Sequence, residues 1–265
     1  MKKGYVDTKF GQFHYRADGA SGPFLFLVHM TPLSSRQCEP CLPYLGKATR
    51  AYAFDNPGYG NSDPPAGPLS IGGYAERLLE AIRQVTPGKF AIGGFGTGAA
   101  IALDIERRAK GSVSHILLCG TPLYNPEQLR EKSALVGAPQ LSTDGSHLMK
   151  AWAERQIHWG ADLDPALLNR LTADVANVYE RYHWGLLAVE EFVSSGETER
   201  LLDQLSCPAL FLSSDTKVAA SNKAASLRVP GSTFEIVPGS REPLSVMAPE
   251  GFSRSLLAFL QRPGA

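Results

Sequence analysis

The sequence predicts an α/β domain built on a mostly parallel sheet, with helices on both faces and a helical insertion. Three observations predict it. Short apolar runs bounded by turn residues alternate with segments of helical period along most of the chain. Phe24 to His29 is a continuous apolar run, the pattern of a strand covered on both faces. Between Val113–Cys119 and Ala209–Leu212, roughly ninety residues carry no strand pattern and are rich in Ala, Leu, Glu and Arg. A structureless loop of that length is disfavoured inside a compact domain, so helices are expected there.

The elements follow in order. Tyr5 to Thr8 and Gln12 to Arg16 read as two short strands, and Phe24 to His29 as a third. Arg50 to Asp55 is the next, ended sharply by Pro57, Gly58 and Gly60. Ile71 to Val85 has apolar residues at helical spacing with charges between them. Lys89 to Gly93 is a strand, Thr97 to Lys110 a helix, and Val113 to Cys119 a strand again. After the insertion come the strands Ala209 to Leu212 and Thr233 to Val237 and the closing helix Pro249 to Leu260. Residues 1–121 and 205–265 therefore form the core domain, and residues 122–204 a helical cap holding Trp152, Trp159 and Trp184. Gly137 to Gly145 is the candidate flexible link within the cap.

Composition narrows the function classes. Across 265 residues, Lys plus Arg and Asp plus Glu each number 26, so nothing in the charge points to nucleic acid or an anionic membrane. No stretch is long and apolar enough to span a bilayer, and no apolar segment follows Lys2 and Lys3 as a secretory signal requires. The four cysteines are Cys38, Cys41, Cys119 and Cys207. One CxxC without a second pair is weak evidence for zinc or redox chemistry, so a reduced, cytoplasmic protein with no metal and no cofactor is expected.

Four segments carry a family resemblance. FLFLVHMTPLSS resembles a third strand with an HGxP turn, and AFDNPGYGNSDPP resembles a DxxGxGxS turn. FAIGGFGTGAAIAL resembles a nucleophile elbow, GxSxG, and CPALFLSSDTKV with IVPGSREPLSVMAPEGFSRSLLAFL resembles the segments that carry an acid and a His. In this order and spacing they are similar to the α/β-hydrolase superfamily over nearly the whole chain, with the insertion at the cap position. The resemblance implies that family's fold and a Ser–acid–His triad, and at all three positions this chain departs from it. The elbow centre is Gly96, which cannot attack a carbonyl. The acid position holds Lys217, with Asp215 two residues earlier as the alternative. The His position after the Pro238–Gly239 turn holds Glu242, and no His follows His183.

What the resemblance leaves intact is a pair of backbone donors for an oxyanion, at Thr97 and Thr31. Thr97 also opens a helix, whose dipole favours negative charge. Glu242 is the candidate general acid–base, with Lys217 as its electrostatic partner. His29, Met30, Phe95, Gly96, Trp159, His183 and Trp184 are the candidate substrate-binding residues. The ordinary alternatives are that His29 and Asp55 brace their turns, that the cap aromatics are packing, and that His14 and His147 lie on the surface. Gly94 to Ala99 also fits the dinucleotide pattern GxGxxG/A, but the next strand ends Leu118–Cys119–Gly120 without the acid that would hold a ribose. Three functions remain. The first is an enzyme on a small, largely apolar carbonyl compound that stabilises an oxyanion or enolate without a triad. The second is a small-molecule-binding protein that has lost the chemistry. The third is a hydrolase with a relocated base such as His183.

Overall fold

A computed structural model of the chain describes residues 1–125, 127–130, 139–216 and 218–262. Eight strands form one sheet: β1 (Lys2–Thr8), β2 (Gly11–Asp18), β3 (Phe24–Val28), β4 (Arg50–Phe54), β5 (Phe90–Phe95), β6 (Val113–Cys119), β7 (Ala209–Ser214) and β8 (Thr233–Val237). The spatial order is β1-β2-β4-β3-β5-β6-β7-β8. β1 and β2 pair antiparallel, as do β2 and β4, and every later pair is parallel. The continuous apolar runs are the central strands: every residue of β5 and β7 is buried. The chain reverses direction across the sheet at β3, so the carboxy-terminal ends of β3 and β5 flank a crevice where parallel sheets bind ligands.

The helices are α1 (Leu42–Leu45), α2 (Ile71–Val85), α3 (Thr97–Arg108), α4 (Ser146–Trp159), α5 (Pro165–Asn177), α6 (Trp184–Ser194), α7 (Glu197–Asp203), α8 (Val218–Leu227), α9 (Leu244–Met247) and α10 (Pro249–Leu260). The amphipathic α2 starts where Ser70 accepts the Gly73 amide, and it buries Ile71, Tyr74, Leu78 and Ile82 on one stripe. It packs with α3 on one face of the sheet, in a cluster holding Phe26, Phe54 and Ile92. α1 and α10 cover the other face over Leu25, Leu27, Leu210 and Leu212. Asn222 of α8 is fully buried and joins two strands: it accepts the Thr121 amide and donates to the carbonyls of Leu118 and Leu212.

Between β6 and β7 the described residues form helices and no strand. The link candidate 137–145 begins outside the described residues, and 139–145 form neither helix nor strand. Three contacts seat these helices over the turns that follow β3 and β4. Asp174 of α5 accepts from Ser34 at 2.9 Å. The Tyr59 hydroxyl donates to the Tyr182 carbonyl at 3.1 Å and accepts the Gly185 amide at 2.9 Å. Trp159, Leu163, Leu168 and Leu171 form an apolar cluster with Leu33. No helix among the described residues is long and apolar enough to cross a membrane.

One surface expectation is corrected. His14 is 3% exposed, because β2 lies inside the sheet between β1 and β4 and its polar face covers the Asp55 turn. Its Nδ1 meets Asp55 Oδ2 at 2.8 Å. Burial alone would raise the Asp55 carboxyl, but the His14 bond, the nearby His29 and the amides of Asn61 and Ser35 outweigh it and hold the group below its usual range. His147 is half-buried and bonds to Ser142.

Candidate active site

The elbow sits where the sequence puts it, between β5 and α3. Gly96 has φ 53° and ψ −113°, a conformation that an L side chain strains to adopt. Its amide donates to the Cys119 carbonyl at 2.8 Å, tying the turn to the end of β6. The flanking positions need glycine for closeness: a Cβ at Gly94 would overlap the Gly98 backbone, and one at Gly98 would overlap the Val28 carbonyl. At Gly96 the reverse holds. A Cβ there would meet only Met30, at 3.4 Å, and the residue keeps some solvent access. The elbow therefore has room for a side chain that the sequence does not supply.

Thr31 and Thr97, the two proposed amide donors, come together. Their hydroxyls are 2.7 Å apart and both residues are buried. Thr97 is the first residue of α3, so helix geometry gives its N–H no acceptor, and neither amide has a hydrogen-bond partner among the described residues. Gly185, at the start of α6, lies directly on Thr31, where an added Cβ would overlap the Thr31 methyl group. The cap thus touches the turn that carries the first donor.

Glu242 lies beyond β8 and is half-buried. Ser214, the last residue of β7, donates to its Oε1 at 2.7 Å, and the Leu244 amide donates to its Oε2 at 3.0 Å. Ser214 is also 2.9 Å from the Thr216 hydroxyl. Cys119 lies in reach of the same carboxylate: burial first, then the Glu242 charge, pushes its thiol well up, so it stays protonated. Lys217 lies outside the described residues. Among the described residues Glu242 has hydroxyl and amide partners and no ion pair. Asp215, the alternative acid, is exposed, and its amide bonds to the Ser240 carbonyl.

The other candidates divide. Met30 faces Gly96 and packs with Trp159, which is 5% exposed, and with Met247. His183 and Trp184 open α6 beside Gly185, half-buried, and burial lowers the His183 imidazole. His29 and Phe95 point elsewhere. The His29 Nδ1 bonds to the Met30 carbonyl at 2.9 Å, and its Nε2 accepts the Asn56 amide at 2.8 Å, so the ring is a neutral brace. Burial lowers its basicity further. Phe95 is fully buried against Phe252, with ring centroids 5.5 Å apart. No three His, Cys, Asp or Glu side chains among the described residues are placed to hold a metal ion.

Two cavities are separate from the elbow. One of about 300 Å³ lies between Arg16, Ser34, Asp55, Asn61 and Asp174. Another of about 210 Å³ lies between Ser70, Arg107, Arg108 and Phe192. Neither is lined by Gly96, Thr31, Thr97 or Glu242.

Comparison with known proteins bears on the family and the fold. The model of a family described as "Alpha/beta hydrolase family" matches residues 20–254. A carboxylesterase of Bacillus subtilis (strain 168), YbfK, is 24% identical over 270 residues, covering 97% of this chain and 86% of its own. The crystal structure of an enol-lactonase from Burkholderia xenovorans LB400 superposes with a TM-score of 0.80 at 18% identity, covering 98% of this chain and 100% of that one. A mutant of the N-acyl homoserine lactonase AidH carrying Ser→Gly, complexed with N-hexanoyl homoserine lactone, has a TM-score of 0.79 at 19% identity. That alignment covers 98% of each chain.

Proposed function

This chain belongs to the α/β hydrolase family, and we propose that it acts on a small, largely apolar carbonyl compound without covalent catalysis. The carbonyl oxygen would lie between the amides of Thr31 and Thr97, and Glu242 would move the proton. The observation that carries the reading is the environment of Glu242. Glu242, at the position the family resemblance gives to a His, accepts from the Ser214 hydroxyl and the Leu244 amide, and the centre of the elbow is an open glycine.

The chemistry follows from what the groups can do. With no nucleophile at residue 96, no acyl-enzyme forms there. An enolate or a tetrahedral oxyanion can still be stabilised by two aimed amides, each worth about 10²–10³ in rate where the site excludes water. Glu242 would remove a proton from the carbon beside the carbonyl, or activate a water directly, and return it in the next step. Lyase, decarboxylase, isomerase, cyclase and direct-hydrolysis reactions share that requirement.

Turnover of β-keto acids, small lactones and esters by the purified protein tests the proposal. Glu242→Gln keeps the shape and removes the base, so kcat should fall about 10²–10⁴-fold. One of its two hydrogen bonds would be lost, at a cost of about 1–2 kcal/mol, so the variant should still fold. Ligand binding with no turnover in the wild type would establish a binding protein instead. Turnover untouched by Glu242→Gln but lost in His183→Gln would establish a relocated base.

A further inference from the structure

The inward face of α4 carries a charge in the wrong place for packing. Ala151, Arg155 and Trp159 recur at every fourth residue and so share one face of the helix. Ala151 packs with Val175 and Tyr179, and Trp159 packs with Leu33, Leu168 and Met30. Arg155 lies between these two apolar clusters, with its side chain only 12% exposed. Its guanidinium carbon is 5.3 Å from the Trp159 ring centroid. Its one carboxylate among the described residues is the adjacent Glu154, at 3.7 Å, itself 36% exposed. Among the described residues the buried Arg155 Nε has no hydrogen-bond partner, and neither have the buried Trp159 Nε1 and His183 Nδ1.

A buried guanidinium without a close carboxylate is costly, and native proteins keep such a group where something else supplies the anion. Burial lowers the basicity of Arg155, with Glu154 and Tyr182 opposing it, yet a guanidinium remains charged throughout the accessible range. The patch also leads to the elbow. Trp159 shares a cluster with Met30, and Met30 is the neighbour of Gly96. His183, whose ring lies 6.2 Å from that of Tyr182, precedes by two residues the Gly185 that covers Thr31.

We infer that Arg155 is the anion-recognising residue of the cap, and that the molecule held at the elbow carries a carboxylate at the end opposite its carbonyl. The inference rests on the proposed carbonyl site and adds the charge of its ligand. A carboxylate fits better than a phosphate. One planar fork and one indole N–H supply the few donors a monoanion needs.

The test uses levulinate and its next two methylene homologues, each beside its methyl ester, with butyl phosphate as a control, titrated calorimetrically into the full-length protein. At least one carboxylate should bind about tenfold or more tightly than its ester. Arg155→Met should abolish that preference while leaving ester binding unchanged, and Arg155→Lys should restore part of it. Free of ligand, Arg155→Met should melt higher than the wild type, because it removes a buried charge whose one described carboxylate partner is distant and half-exposed. Equal binding of acids and esters, no binding by any of them, tighter binding of butyl phosphate, or an Arg155→Met variant that melts lower and loses both ligands alike would each overturn the inference. Carboxylate preference without turnover of any carbonyl compound would retire the catalytic reading and leave the anion site standing. Turnover of neutral lactones with no carboxylate preference would do the opposite.

Discussion

Asp174 gives a quantitative handle on how the cap is seated. Burial raises its carboxyl from 3.8 to about 6, against the opposing pull of Ser34 and Arg36. The folded protein therefore holds this proton more tightly than the unfolded chain does. Below the unfolded value both states are protonated and the group costs nothing. As pH rises from 3.8 through 6 the unfolded chain ionises first and stability is lost; above that the loss is constant. A difference of about two pKa units corresponds to about 3 kcal/mol at pH 8, and about half of that at pH 5. Asp174→Asn imitates the protonated acid and keeps an acceptor for the Ser34 hydroxyl, so it should stabilise the protein by those amounts. Urea denaturation of both proteins at the two pH values measures this, with the slope m unchanged. The advantage of the variant should grow by about 1.5 kcal/mol from pH 5 to pH 8. A variant less stable than the wild type at pH 8, or an advantage that does not grow with pH, would refute the reasoning. Asp174 would then be an ionised partner of Arg36, 3.6 Å away.

Two further substitutions probe the elbow. Gly96→Ser should cost about 1–3 kcal/mol in chemical denaturation, because φ of +53° is strained for a side chain even where space is open. It should gain no p-nitrophenyl acetate turnover, since no imidazole stands beside it, and rapid turnover would show a base that the geometry does not reveal. Gly185→Ala should force α6 away from Thr31, at a cost of roughly 1–3 kcal/mol. Ligand affinity should fall with it, and unchanged melting and binding would mean that the cap does not bear on the oxyanion turn.

Much of the sheet could be read from local pattern. Val113–Cys119, Thr233–Val237, Ile71–Val85 and Pro249–Leu260 have the boundaries their apolar periodicity implies. Each has a period carried within a few residues and a clear stop. α8 has few charged residues to mark a helical period and does not stand out in the sequence. The site was less legible because its contacts are long-range. Glu242 is recognisable by its place after a Pro–Gly turn, but its partner Ser214 is 28 residues away in sequence. The one available signal was polarity: Ser213 and Ser214 close an apolar strand and are both fully buried. His29, a candidate substrate-binding residue from its place at the end of a strand, has its Nε2 occupied by the Asn56 amide, 27 residues on. Arg155 escaped notice because a lone Arg on a helix usually reaches solvent, and only the Ala151–Trp159 face reveals where it points.

The paired hydroxyls of Thr31 and Thr97 have a consequence of their own. At 2.7 Å they share one hydrogen bond, and either oxygen can be the donor. Two hydroxyls bring two protons, and the contact consumes one. The spare proton belongs to whichever threonine is accepting, so its position is a two-way setting. Rotating both C–O bonds reverses it, and no heavy atom moves. A guest that gains negative charge can draw the free proton towards itself, and one that loses charge can release it to the other side. The pair is thus a donor whose direction can reverse without any movement of the backbone.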